Sequence, residues 1–200
     1  MGKSLRTDDL LQKLKQKPVI AGLRDFTQID EVLGAGCQVV FALRGDVFQL
    51  RDVSEKCKKH DALLFVHVDL MQGIAADAAG LRFISELMYI SGILTTRSYL
   101  VKAAKEAGLL TIMRLFCLDT EALQTGIQAC RKCQPHAVEV LPGLVAPKIV
   151  SRLPKKDFPP LIAGGLISTL DEARDTLVPD IVGFSSSNKE LWHSDAKTLR

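Results

Sequence analysis

The chain has 200 residues, 47% hydrophobic and 24% charged, with a formal net charge of +3. Such a chain can bury a substantial core in one large domain or two small ones, and its charge neither demands nor excludes a nucleic-acid partner. The five cysteines, Cys37, Cys57, Cys117, Cys130 and Cys133, have no regular spacing, which argues against a disulfide framework and for a reducing compartment. No apolar run reaches the ~18 residues that cross a bilayer. The start, MGKSLRTDDLLQKLKQKP, lacks the apolar centre of a signal peptide. A cytoplasmic protein with no membrane partner is expected.

Residues 7–16 predict a helix with Leu10, Leu11 and Leu14 on one face, within an N-terminal helical extension over 1–17. Short apolar runs then alternate with helical stretches. PVIAGL (18–23) precedes a helix over 27–36, and QVVFAL (38–43) a helix over 51–60. LLFVHVD (63–69) precedes a helix over 77–88, GILTT (92–96) one over 98–107, and LTIMRLF (110–116) one over 119–131. AVEVL (137–141) and PLIAGG (160–165) lead to shorter helices over 145–152 and 169–176, and DIVGFS (180–185) to the stub NKELW. Most of these strands are apolar on both faces, as buried parallel strands are. The alternation predicts a compact TIM-type (β/α)8 barrel over residues 18–192, with short helices. A doubly wound sheet is the alternative, though it seldom needs eight strands so evenly spaced. The polar tail, 193–200, is expected to be loose.

In such a barrel the functional groups lie at the C-terminal ends of the strands. Read in order, those ends carry Arg24, Arg44-Gly45-Asp46, His67 and Asp69, Thr95-Thr96-Arg97, Arg114, Glu139, Gly164-Gly165 and Ser185-Ser186-Ser187. The last two sets suit a phosphate ester. Gly164 and Gly165 let the backbone approach an anion, and Ser185, Ser186 and Ser187 supply hydroxyls. Ser187 and Glu190 fit a capping box that would aim a short helix at the same spot. A tight turn and a plain serine loop are the simpler readings of the two motifs taken singly.

His67 and Asp69, two apart, share a face and resemble weakly a metal-binding strand of sugar-phosphate epimerases. The further carboxylate and histidine such a centre needs are missing, so no metal is expected. Glu139 is costly to bury unpaired, and Arg114 on the neighbouring strand is its natural partner. CRKCQPH (130–136) resembles half a zinc site, but no second half exists.

FVHVDL with Gly73, GILTT, AAKEAGLLTIMRLF with Asp119, EVLPG with Pro147-Lys148, IAGGLI and SSSNKELW together resemble the glycerol uptake operon antiterminator regulatory proteins, which respond to glycerol 3-phosphate. The resemblance covers most of residues 18–192. It implies a regulator with no catalytic residues and no cofactor beyond glycerol 3-phosphate as effector. Its partner would be the leader mRNA of glycerol-metabolism genes, on which it prevents premature termination. A homo-oligomer is left open. The resemblance places the phosphate on Gly164, Gly165 and the serines 185–187, with Arg24, Asp69, Arg114 and Glu139 facing the rest of the cup.

The residues themselves are silent on RNA. Aromatics are only 6% of the chain, and no stacking platform is legible in it. Candidate basic faces are Lys56-Lys58-Lys59, Lys102-Lys105, Lys148-Arg152-Lys155-Lys156 and Lys13-Lys15-Lys17. Two other functions share the same barrel. One is a sugar-phosphate isomerase, epimerase or lyase using Glu139 or Asp69 as base, although a Schiff-base lyase needs a strand-end lysine and none is present. The other is a phosphate-binding barrel that contacts protein partners.

Overall fold

The computed structural model describes residues 5–154 and 156–199. Eight parallel strands form a closed barrel in chain order: β1 (Val19–Leu23), β2 (Val39–Ala42), β3 (Leu63–His67), β4 (Gly92–Thr95), β5 (Leu110–Phe116), β6 (Ala137–Leu141), β7 (Leu161–Gly164) and β8 (Ile181–Ser186). The ring closes where Val19 of β1 lies in register with Phe184 of β8. The eight expected strands are all present, and the doubly wound alternative is excluded by the closure.

Helices follow the strands in turn: α2 (Ile29–Gly34), α3 (Val47–Lys59), α4 (Ala78–Leu87), α5 (Ser98–Glu106), α6 (Thr120–Cys133), α7 (Ala146–Ile149), α8 (Leu170–Thr176) and α9 (Lys189–His193). Each has its N-terminus at the end of the barrel where the strands finish. Several start on a polar cap: Asp46 accepts from the Phe48 and Gln49 amides, Asp77 from Gly80, Asp119 from Ala122, and Thr169 from Glu172. Helix α3 begins four residues before the expected boundary because Asp46 and Gln49 form a capping box. A two-residue ladder, Gly45–Asp46 beside Met71–Gln72, joins the loops after β2 and β3 and has no counterpart in the sequence reading.

Alternation along the strands sends one set of apolar side chains inward and the other toward the helices. Ile20, Phe41, Phe65, Leu94, Ile112 and Ile162 belong to the inner cluster, and Phe41 meets Phe65 edge to face at 5.9 Å. Helix α1 (Thr7–Gln16) adds Leu10 and Leu14 to that cluster. The expected extension is therefore the plug of the N-terminal mouth. Its Lys13 pairs with Asp61 at 2.6 Å, across the bottom of the barrel.

Two local expectations differ. Asn188, not Ser187, caps α9, its side chain accepting from the Glu190 amide at 2.9 Å. The tail is not loose over its described part. Residues 196–199 form a further turn, α10, with Leu199 buried and the Thr198 carbonyl accepting from Arg174 Nε at 2.8 Å.

Candidate functional site

Toward the C-terminal mouth the barrel interior changes character. Below lie Phe65, Ile112, Ala137 and Ile162; one step up the same strands lie His67, Arg114, Glu139 and Gly164. Glu139, only 1% exposed, is the centre of this polar layer. Arg114 Nε donates to its Oε2 at 2.7 Å, and Ser185 Oγ donates to its Oε1 at 2.7 Å. A buried carboxylate needs such partners. Because Arg114 uses Nε for Glu139, its two terminal nitrogens remain for an acceptor in the mouth. Its guanidinium lies 5.7 Å from the Phe116 ring centroid.

A second carboxylate lies alongside. Asp69 sits in the turn just past β3, where Thr95 Oγ1 and the Thr96 amide donate to its Oδ2 at 2.9 and 3.2 Å. Arg97 Nε stands 3.0 Å from Oδ1, close enough for an ion pair but not aligned as a hydrogen bond. His67 Nδ1 is 3.8 Å from Asp69 Oδ2. Burial, reinforced by the Arg114 cation and opposed by Asp69, pushes the imidazole pKa down to about 4, so the ring is neutral at pH 7. Among the described residues, His67 Nδ1 and Asp69 Oδ1 are the buried side-chain polar atoms without a hydrogen-bond partner. Such atoms are costly unless something arrives to meet them.

The expected phosphate residues divide. Gly164 has no side chain because a Cβ there would overlap the Glu139 carboxylate. Its smallness serves the carboxylate. Gly165, exposed, has φ +76, a left-handed conformation that glycine adopts freely, and a Cβ there would meet only Leu141 at 3.6 Å. Leu166 follows with φ +63 and is 70% exposed, an uncommon conformation for a leucine. Ser185 is engaged by Glu139. Ser186 is turned away from the mouth, donating to the Ile167 carbonyl at 2.7 Å and accepting from the Asn188 amide at 3.1 Å. Ser187 and Arg24 are exposed at the rim. A cleft of about 520 Å³ runs outward from Arg114 past Phe116, lined also by Thr96, Asp119 and Thr125.

His67, Thr95 and Arg97 complete the polar layer; the sequence places all three at polar strand ends without assigning them to the ligand. The zinc half-site does not form. The Cys130 and Cys133 thiols face Met113 Sδ, and His136 Nδ1 lies 2.9 Å from Thr111 Oγ1. No group of three or more His, Cys, Asp or Glu that could hold a metal occurs among the described residues.

A family model described as the glycerol-3-phosphate responsive antiterminator matches residues 19–192. The chain belongs to this family. The antiterminator match runs from β1 through α9 and leaves the α1 plug outside it. The chain is 30% identical over 190 residues to the uncharacterized protein YgcP of Escherichia coli (strain K12), spanning 95% of this chain and 99% of that protein. Among solved structures, a glycerol uptake operon antiterminator-related protein from Thermotoga maritima MSB8 superposes with a TM-score of 0.79 at 31% identity, covering 89% of this chain and 99% of that one. The glycerol uptake operon antiterminator regulatory protein of Listeria monocytogenes gives 0.80 at 26% identity, covering 89% and 96%. Deoxyribose phosphate aldolase from Aeropyrum pernix, at 15% identity and a TM-score of 0.72, shares the barrel architecture with the antiterminator family and nothing finer. Among the described residues no helix is long and apolar enough to cross a membrane.

Proposed function

We infer that this protein is a cytoplasmic regulator, not an enzyme, which binds glycerol 3-phosphate in the C-terminal mouth of the barrel. So loaded, it acts on the leader mRNA of glycerol-metabolism genes to prevent premature termination. The observation that carries the reading is the pair of buried atoms without a hydrogen-bond partner, His67 Nδ1 and Asp69 Oδ1 (the latter within ion-pair distance of Arg97), set beside Arg114 under an open mouth. The ligand's hydroxyl end meets this polar layer. Its phosphate lies toward Gly165, Ser187 and the outward nitrogens of Arg114, with Arg24 at the rim.

Of the two bases the enzyme alternative could use, Asp69 and Glu139, the second is disfavoured. Both its oxygens are engaged, by Arg114 and by Ser185, and a general base needs a free one. No barrel strand carries a lysine for Schiff-base chemistry. The family membership supports the effector and the regulatory class.

Calorimetric titration with glycerol 3-phosphate, glycerol and inorganic phosphate tests the effector, and filter binding of the leader RNA with and without it tests the coupling. Glycerol 3-phosphate should bind best and raise RNA affinity by roughly 5- to 150-fold, the usual range of allosteric coupling. Equal RNA affinity in both conditions overturns the switch. Exchange of a sugar-phosphate C–H proton with solvent would favour the enzyme.

A further inference from the structure

Most of the large apolar side chains that remain exposed lie at one end of the molecule; Phe83 and Leu87, on α4, are the exceptions among the described residues. Phe48, Leu70, Tyr99, Phe116, Leu118 and Leu166 stand on successive loops around the C-terminal mouth, with Phe48 81% and Leu118 80% exposed. Apolar surface concentrated around a binding pocket marks a docking face.

The charges on the same loops are sorted. The acidic groups Asp46, Asp77 and Asp119 are turned into the helix starts they cap. Arg24 and Arg44 are exposed at the rim, and Arg97 is half-exposed there with its Nε against Asp69 Oδ1. Two rings are already paired with guanidinium groups: Arg97 Nη1 donates to Tyr99 Oη at 3.2 Å, and Arg114 lies over Phe116. Phe48 follows four residues after Arg44. Aromatic planes interleaved with arginines suit a ligand that alternates flat bases with phosphates.

We propose that this face binds single-stranded RNA, with bases stacked on Phe48, Tyr99 and Phe116 and phosphates held by Arg44 and Arg97. The proposal rests on the RNA-regulator reading and locates its surface. It puts the transcript directly over the effector mouth. Several lysines of the basic faces legible in the sequence are already paired. Lys13 is tied to Asp61, Lys56 to Asp30, Lys102 to Glu106, and Lys105 to the Gln134 carbonyl; Lys155 lies outside the described residues. A second copy of the chain is the weaker candidate for this face, because a two-fold contact would set arginines against arginines.

The test uses the full chain, its transcribed glycerol-gene leader and an unstructured oligouridylate, at several salt concentrations. The exposed double variant Phe48→Ala/Tyr99→Ala should lose at least roughly 5- to 150-fold in RNA affinity, the range for one lost stacking contact, with effector affinity unchanged. Arg44→Ala should lower the salt dependence of binding by about one phosphate contact. Lys58→Ala/Lys59→Ala, at the other end of the barrel, should bind as wild type. Loss of binding only in the lysine variant overturns the placement and leaves the regulator reading intact. Failure of the unmodified chain to bind either RNA overturns both. A dimer, seen by sedimentation, that the aromatic variant dissociates without altering RNA affinity assigns the face to a second copy and overturns the proposal.

Discussion

The two mouths of the barrel are built from the same eight strands and solve opposite problems. At the N-terminal end the interior is apolar, and α1 drives Leu10 and Leu14 into it until neither touches water. At the C-terminal end the same strands switch to His67, Arg114, Glu139 and Ser185, and no helix of the described residues plugs this mouth as α1 does the other. The largest hollow described, about 990 Å³, lies at the closed end, beside Lys13, Asp61 and Tyr89. Yet the buried atoms without hydrogen-bond partners lie at the open end. Space alone does not locate a site; unmet hydrogen-bonding capacity is the better guide.

The contrast should appear as a separation between stability and binding. The largest effect is expected from Arg114→Ala, which strands the Glu139 carboxylate in the barrel. Urea unfolding should show a loss of about 3–5 kcal/mol, largely restored by adding Glu139→Gln, while effector binding stays lost in both variants. A mild loss in the single variant would mean the polar layer is wetter than its burial indicates. At the other end, Leu14→Ala should cost roughly 3 kcal/mol by leaving a cavity in the plug, with effector affinity unaltered in the folded protein. A tenfold weaker effector titration would break the division between the two ends.

The smallest effect concerns pH. His67 has its pKa lowered in the fold to about 4 from an ordinary 6.5. Its contribution is therefore complete above the unfolded value and is lost as pH falls from 6.5 toward 4, because the unfolded chain takes up the proton first. Between pH 7 and pH 5 the protein should lose about 2 kcal/mol more than the His67→Gln variant. Parallel curves for the two proteins would place His67 in water.

The architecture was readable because parallel barrel strands are apolar on both faces and evenly spaced by helices. Helix α1 was readable to the residue, from Thr7 to Gln16, because its leucines mark one face. The Glu139–Arg114 pair followed from adjacent strands and the cost of a lone buried carboxylate. What resisted reading was anything set by packing between distant segments. Gly164 looks like a ligand cradle in sequence, yet its space belongs to Glu139, 25 residues earlier. Ser186 looks like a ligand hydroxyl, yet it bonds the Ile167 carbonyl. Phe48, Tyr99 and Phe116 look scattered, and only the closing of the ring brings their loops to one rim. The cap of α9 was misplaced by one residue for a related reason. Ser187-Glu190 and Asn188 are both reasonable starts for α9, and the choice depends on where β8 lets the chain turn.

The barrel closes between β1 and β8, with Val19 beside Phe184, and Ser185 of that final strand holds one oxygen of Glu139. Synthesis proceeds from the N-terminus, so the strand that completes both the ring and the carboxylate's partners is the last to leave the ribosome. A chain stopped short of residue 185 has neither a closed wall nor a settled polar layer. A partial translation product of that length therefore lacks the assembled mouth.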